Sequence, residues 1–410
     1  MKRVFLTACL LAVSALTVEA QEQRGGYTFV DESVAPHTPC VGQGLTGNCW
    51  NFSGTSFIES ELKRQGKGEF DLAEMWITRH AFMEKAKTFM LRGRARSKGS
   101  GGSTDVYYIF KNHGIVPEEA YPGLNYGTNM HKHWELNSVI NAYVQGVNIG
   151  RRKDGGLSTV WTDGLNNILD AYFGEIPEKF TYKGKEYTPK SFTESLNLNT
   201  DDFVNITSYS HKPYYAPYML ELSGNWVPEF YYNYFYNLPL DEMMEVMEYA
   251  LANGCTLSWN ADITNPGYCK EKGICVYPVT SMADIPESKR AEWAGYTDEM
   301  LQKLGDRENK KECFTRPVVE YEVTQEMRQR GYEAITTCEN HCMHIVGLCR
   351  DQNGNRFYKI KNSAHGKGGI YQEGDYYYCS VPYMRYFTMS LVVHKDGVPA
   401  HIAEKLGLKK

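Results

Sequence analysis

Apolar residues recur at helical spacing through the first part of the chain and form strand-like runs in the last third. Over residues 49–65 the positions Cys49, Trp50, Phe52, Ser53, Ser56, Phe57, Ser60 and Leu62 predict one helix. Leu72, Met75, Trp76, Phe82, Phe89 and Met90 predict a second from about Asp71 to Leu91. Gly99 to Gly102 breaks the chain, helical character resumes over Thr104–Asn112, and the segment Gly114 to Pro117 ends it. Met243, Met244, Val246, Met247 and Ala250 predict a helix over Leu240–Ala252, closed by Gly254. Thr256–Trp259 then reads as a strand. His344–Cys349 and Arg356–Lys361 read as two strands joined by a turn at Asp351–Asn355, of the kind that Asn-Gly favours. Gly369–Tyr371 and Tyr386–His394 are further strand candidates. Gln21–Pro39 reads as an extended lead-in. Residues 125–240 are irregular, with Asn, Tyr and Pro clusters such as His211–Pro217, and no internal repeat is visible. Helices come first and strands later, which predicts an α+β arrangement rather than alternating βαβ units.

Composition narrows the classes. With 410 residues, 42% hydrophobic and 23% charged, the chain is an ordinary globular one, long enough for a catalytic domain with a large insertion. A net charge of -5 argues against a nucleic-acid partner, and the basic stretch Arg92–Lys98 reads as a solvated loop. Lys2 and Arg3, then an apolar stretch Val4–Val18 and the small residue Ala20, read as a signal peptide over 1–20. Cleavage there takes the charge from -5 to -6 by removing Lys2, Arg3 and Glu19. Leu6-Thr-Ala-Cys9 is a rival lipoprotein-type cleavage box. No later apolar run reaches the ~18 residues of a spanning helix, so the expectation is an exported, soluble protein, periplasmic or extracellular. Of 11 cysteines Cys9 leaves with the leader, and disulfides become possible. Cys269 with Cys275, and Cys338 with Cys342, are spaced to close short loops, although spacing does not assign pairs.

The chemistry begins at Gln43-Gly-Leu-Thr-Gly-Asn-Cys49-Trp50. A cysteine opening a helix sits among free N–H groups and at the positive end of the helix dipole, which favours thiolate, the nucleophilic form. The Cys49 N–H and the Gln43 side chain are candidate donors to an oxyanion. The bland alternative is a buried structural cysteine. His344 opens the strand before the Asn-Gly turn, and Asn362 ends the returning strand. A hairpin whose strands end together places them side by side, where an amide can fix which imidazole nitrogen meets the thiol.

These residues resemble the papain-like cysteine peptidases, whose pattern combines Gln-Gly-x-x-Gly-x-Cys-Trp, a distant His before a hairpin, and Lys-Asn-Ser. The resemblance implies Cys49 as nucleophile, His344 as base, Asn362 as its orienter and Gln43 as oxyanion donor, with Gly101 and Gly102 pairing with substrate. It is closest to bleomycin hydrolase and bacterial aminopeptidase C. Thr46 stands where many relatives carry a disulfide-forming Cys, Cys49 and His344 lie 295 residues apart, and Gly114–Pro122 resembles the family's segment after its glycine pair. The family's Trp after Asn-Ser is Ala364 here, which removes a shield from the His–Asn bond.

The implied architecture is a papain-like two-lobed fold with a large inserted arm: a helical lobe over 21–124, an inserted arm over 125–240, a β-rich lobe over 241–395, and a tail over 396–410 that enters the cleft. The implied function is a secreted thiol aminopeptidase acting on peptides without metal or organic cofactor. The tail's terminal carboxylate, at or next to Lys410, would meet the substrate's ammonium. The arm would mediate a homo-oligomer, with a hexamer as the form the resemblance implies. Three rivals stay open. One is a secreted papain-like endopeptidase. Another is a non-catalytic papain-fold binding protein. The third is a metal site built from Cys338, His341, Cys342 and His344.

Overall fold

The computed structural model describes residues 21–92, 101–150, 156–220, 234–305, 312–364 and 374–408. The leader over 1–20, the strand candidate Gly369–Tyr371 and Lys410 lie outside them.

Three helices build the first lobe: α1 (Cys49–Arg64), α2 (Glu74–Arg92) and α3 (Ser103–His113). Each falls within three residues of the span its apolar pattern predicts. Phe57, Ile58, Leu62, Trp76, Ile77, Val106 and Ile109 meet in one buried cluster. Residues 134–196 supply α4 (Trp134–Gly150), α5 (Val160–Phe173) and α6 (Pro189–Leu196). Leu136, Ile140 and Val144 repeat every four residues, as do Leu165, Leu169 and Phe173, and both stripes enter the same core. The first part of the expected arm is therefore packed into the helical lobe.

The strands are β1 (Gln21–Arg24), β2 (Tyr27–Val34), β3 (Phe180–Tyr182), β4 (Lys185–Tyr187), β5 (Phe203–Thr207), β6 (Pro217–Met219), β7 (Tyr234–Asn237), β8 (Leu257–Ala261), β9 (Tyr268–Cys269), β10 (Ile274–Cys275), β11 (His341–Arg350), β12 (Arg356–Asn362), β13 (Asp375–Ser380) and β14 (Thr388–His394). All but the β3–β4 hairpin join one sheet, in the order β6-β7-β5-β14-β8-β11-β12-β13-β10-β9. Two corrections follow. The lead-in is a hairpin, β1–β2, that pairs with β11. The latter part of residues 125–240 contributes β5, β6 and β7 to the sheet of the β-rich lobe. The remaining helices are α7 (Leu240–Ala252), α8 (Asp298–Gly305), α9 (Gln325–Glu333), α10 (Val381–Phe387) and α11 (Ala400–Lys405). The two lobes meet where α1 lies against β11 and β8.

All ten described cysteines are free thiols. Cys269 stands opposite Ile274 on the ladder, and Cys275 opposite Cys379. Cys338 is exposed, and Cys342 is buried against α1.

Candidate functional site

Cys49 is the first residue of α1, and the first turn holds no acidic side chain to compete for its positive end. Asn48 holds this end in place: its Nδ2 donates to Thr78 Oγ1 at 3.0 Å, and its carbonyl accepts from the N–H of Asn51 and Phe52. Gly44, at φ +65, turns the preceding loop so closely past His131 that a Cβ would stand 2.6 Å from that carbonyl oxygen. That loop carries Gln43 to the end of β12. The Gln43 N–H donates to the Ser363 carbonyl at 2.8 Å, and Ser363 Oγ donates to Gln43 Oε1 at 3.0 Å. Gln43 Nε2 donates to Thr46 O at 2.8 Å, which leaves its second hydrogen free to point elsewhere.

The histidine beside this cysteine is not the one expected. His341 Nε2 donates to Asn362 Oδ1 at 2.9 Å, and the same ring lies close enough to Cys49 for the thiolate charge to raise it. With Nε2 committed to Asn362, Nδ1 is the nitrogen left for sulfur. His344 lies on the opposite face of β11. Its Nδ1 meets Ser56 Oγ at 3.0 Å, two turns along α1 from Cys49. Ser56 in turn accepts from Lys361 Nζ at 2.6 Å.

The physical reason is one extra residue. Arg350 stands opposite Arg356 next to the turn, and counting back in an unbroken ladder puts His344 opposite Asn362. A bulge between Ile345 and Gly347 shifts the register, so His344 faces Lys361. Because side chains alternate, a slip of one residue sends every later side chain to the other face. Asn362 then falls level with Met343 and shares its face with His341. Gly347 marks the place: β2 passes so close that a Cβ there would stand 2.7 Å from Ser33 O. This glycine inside a strand is the signal in the sequence that could have revealed the shift.

Charge follows the geometry. The neighbouring Cys342 thiol is the main influence drawing Cys49 well below an ordinary thiol, helped by the charge of His341, against burial. Burial pulls the His341 imidazole down, but the Cys49 charge and the bond to Asn362 outweigh it and raise it. The pair is thus biased toward thiolate and imidazolium. His344 goes the other way. Burial first, then the charges of Lys361 and His37, hold it well below its usual value and neutral.

Asn362 is fully buried despite the small Ala364. Its Nδ2 donates to Tyr268 Oη at 3.0 Å, so a tyrosine from β9 closes over the amide that the missing tryptophan leaves open. Gly101 is half-buried and Gly102 buried at the start of α3, where the Gly102 N–H is taken by Asp105 Oδ2 at 2.9 Å. The residues of the alternative metal site do not converge: His341 and His344 point to opposite faces of β11, and Cys338 is exposed. The tail leaves β14 beside Arg64, which pairs with Asp396 at 3.1 Å at the far end of α1 from Cys49. It then packs on α7, through Lys405 to Glu242 at 2.7 Å and through Leu408 in the core around Met243. A cavity of about 970 Å³, lined by Trp293, Glu320 and Arg356 among others, contains none of these site residues.

No family model matches the chain, and no curated protein sequence is similar to it. Among solved structures it is similar to the crystal structure of PepW from Lactobacillus rhamnosis HN001, with a TM-score of 0.66 and 18% identity. The likeness covers 92% of this chain and 84% of that one. At that identity it speaks to architecture: this chain has the papain-like, two-lobed α+β fold along nearly its whole length.

Proposed function

We propose that the protein is a cysteine peptidase in which Cys49 is the nucleophile, His341 the base and acid, and Asn362 the residue that orients His341. The observation that carries this reading is the convergence of the three at the mouth of α1, with Gln43 tied to the same strand end. The Cys49 thiolate attacks the peptide carbonyl carbon, and the carbonyl electron pair moves onto oxygen. The Cys49 N–H and the second Gln43 Nε2 hydrogen receive that oxyanion; one such donor is worth about 10²–10³ in rate. The imidazolium of His341 gives its proton to the departing amine. The neutral ring then takes a proton from water, which attacks the thioester and frees the acid. Asn362, accepting from Nε2–H, keeps Nδ1 aimed at sulfur throughout.

Within that class the preferred mode is removal of N-terminal residues, in line with the resemblance to bleomycin hydrolase and aminopeptidase C and with the PepW fold. Endopeptidase action is the second reading, favoured by a tail that stays on α7 as far as Leu408. Free and N-acetylated peptides, incubated with wild type and with Cys49→Ala, separate the readings. The proposal expects hydrolysis of free amino termini alone, lost in the variant. Cleavage of blocked peptides inside the chain makes it an endopeptidase. Peptide binding without turnover in the wild type makes it a binding protein. Export is proposed from residues 1–20, and N-terminal sequencing of protein from outside the cytoplasm tests it, with Gln21 the expected first residue.

A further inference from the structure

Cys342 takes no part in the acyl-transfer scheme, yet it stands against the nucleophile. Cys49, Ser53 and Ser56 are spaced by four and three residues, one stripe of α1 that faces β11. Ser56 meets His344, and Ser53 Oγ donates to Met343 O at 2.6 Å and touches Ser258 Oγ at 2.8 Å. The next step along this stripe is Cys49. The next residue of β11 on the same face, two before His344, is Cys342. Its sulfur is fixed from the other side by Asn260 Oδ1 at 3.0 Å, directly opposite on β8. Cys342 is almost wholly buried and Cys49 only partly, so of the two residues Cys49 is the one open to solvent.

We propose that Cys342 is a resolving thiol for Cys49, forming with it a reversible disulfide that protects an oxidised nucleophile. The oxidant is a peroxide. The Cys49 thiolate attacks one peroxide oxygen, the O–O bond breaks, and Cys49 becomes a sulfenic acid while the second oxygen leaves, protonated, as water or alcohol. The Cys342 sulfur then attacks the sulfenic sulfur. The S–O bond breaks, the S–S bond forms, and hydroxide leaves as water with the Cys342 proton. Two electrons pass from the pair of thiols to the peroxide. An external dithiol reverses the step by exchange and returns both thiols.

The ionisation of the two groups suits this order. The lowered Cys49 supplies thiolate to the peroxide. Cys342 is raised first by the charged Cys49 beside it, and that restraint disappears once Cys49 is a neutral sulfenic acid.

Peptide mapping of the full chain after excess hydrogen peroxide tests the pair directly, and it reads the disulfide whether or not Cys49 hydrolyses peptides. A peptide carrying Cys49 linked to Cys342 is expected, absent after dithiothreitol. Activity, each protein scaled to its own untreated level, is expected to return almost fully in wild type. It should return about tenfold less in Cys342→Ala and Cys342→Ser, where Cys49 proceeds to the irreversible sulfinic and sulfonic acids. Cys40→Ala, altering another cysteine that lines the small cavity bordered by Cys342, should behave as wild type. Cys49 linked to any other cysteine, or sulfinic acid at Cys49 in wild type with no 49–342 peptide, overturns the proposal.

Discussion

Replacing His341 with alanine, beside the matched replacement of His344, separates the two histidines by what each one touches. His341 is held by Asn362 and stands beside the Cys49 charge, so its loss removes both the proton donor to the leaving amine and the cation that holds the thiolate. Positioned acid–base catalysis is worth about 10²–10⁴ in rate. With the thiolate also less populated, His341→Ala should lower kcat/KM by about three to four decades, or ~4–5.5 kcal/mol at ~1.36 kcal/mol per decade. His344 touches Ser56 on the opposite face and is held neutral. Its truncation leaves a buried void and an unsatisfied Ser56–Lys361 pair, which should cost about 1–3 kcal/mol of stability. The kcat/KM per active molecule should stay within about threefold of wild type, since no transition-state contact is lost. The assay is peptide hydrolysis normalised by labelling Cys49 with a thiol-directed peptidyl epoxide, with thermal unfolding followed in parallel. Loss of activity in His344→Ala with near-normal turnover in His341→Ala would refute the assignment.

Other consequences are equally open to measurement. Asn362→Ala frees His341 Nε2 and leaves Tyr268 Oη without its donor, so kcat should fall about 10²-fold with KM little changed; steady-state kinetics show which parameter moves. Burial, against bonds from the Leu72 N–H and Thr38 Oγ1, pushes the Glu59 carboxyl up to about 7. A carboxyl raised in the folded state stabilises fully below its unfolded value, and that contribution is lost as pH rises through about 7. Glu59→Gln mimics the protonated form, so denaturant melts should match wild type at pH 4 and show a variant more stable at pH 8.

Much of the fold was legible because it rests on local periodicity. The apolar stripes of α1, α2, α3 and α7 gave those helices nearly to the residue, and the Asn-Gly turn gave the β11–β12 hairpin. Cys49 was legible for the same reason, since a cysteine at a helix start has one consequence wherever that helix packs. The histidine was not, because partners across a ladder depend on register, and register changed at a bulge. His341 was visible in the sequence only as a member of the alternative metal cluster. The packing of residues 125–240 was hidden for a different reason. The stripes Leu136–Ile140–Val144 and Leu165–Leu169–Phe173 are as regular as those of α1, but they sit among Asn- and Tyr-rich turns that masked their period. That β5 would lie beside β14 follows from pairing across about 185 residues, which no local pattern encodes. The shield over Asn362 comes from Tyr268, far from it in sequence, so the change to Ala364 alone overstated the exposure.

The central claim is that the sulfur of Cys49 is a thiolate held by His341, and its alkylation rate against pH measures that most directly. Iodoacetamide labelling at Cys49, read by mass spectrometry of its peptide, should titrate well below 9 in wild type and in His344→Ala, and should move up toward an ordinary thiol in His341→Ala. A Cys49 that titrates near 9 in wild type, or that is indifferent to His341, would contradict the account.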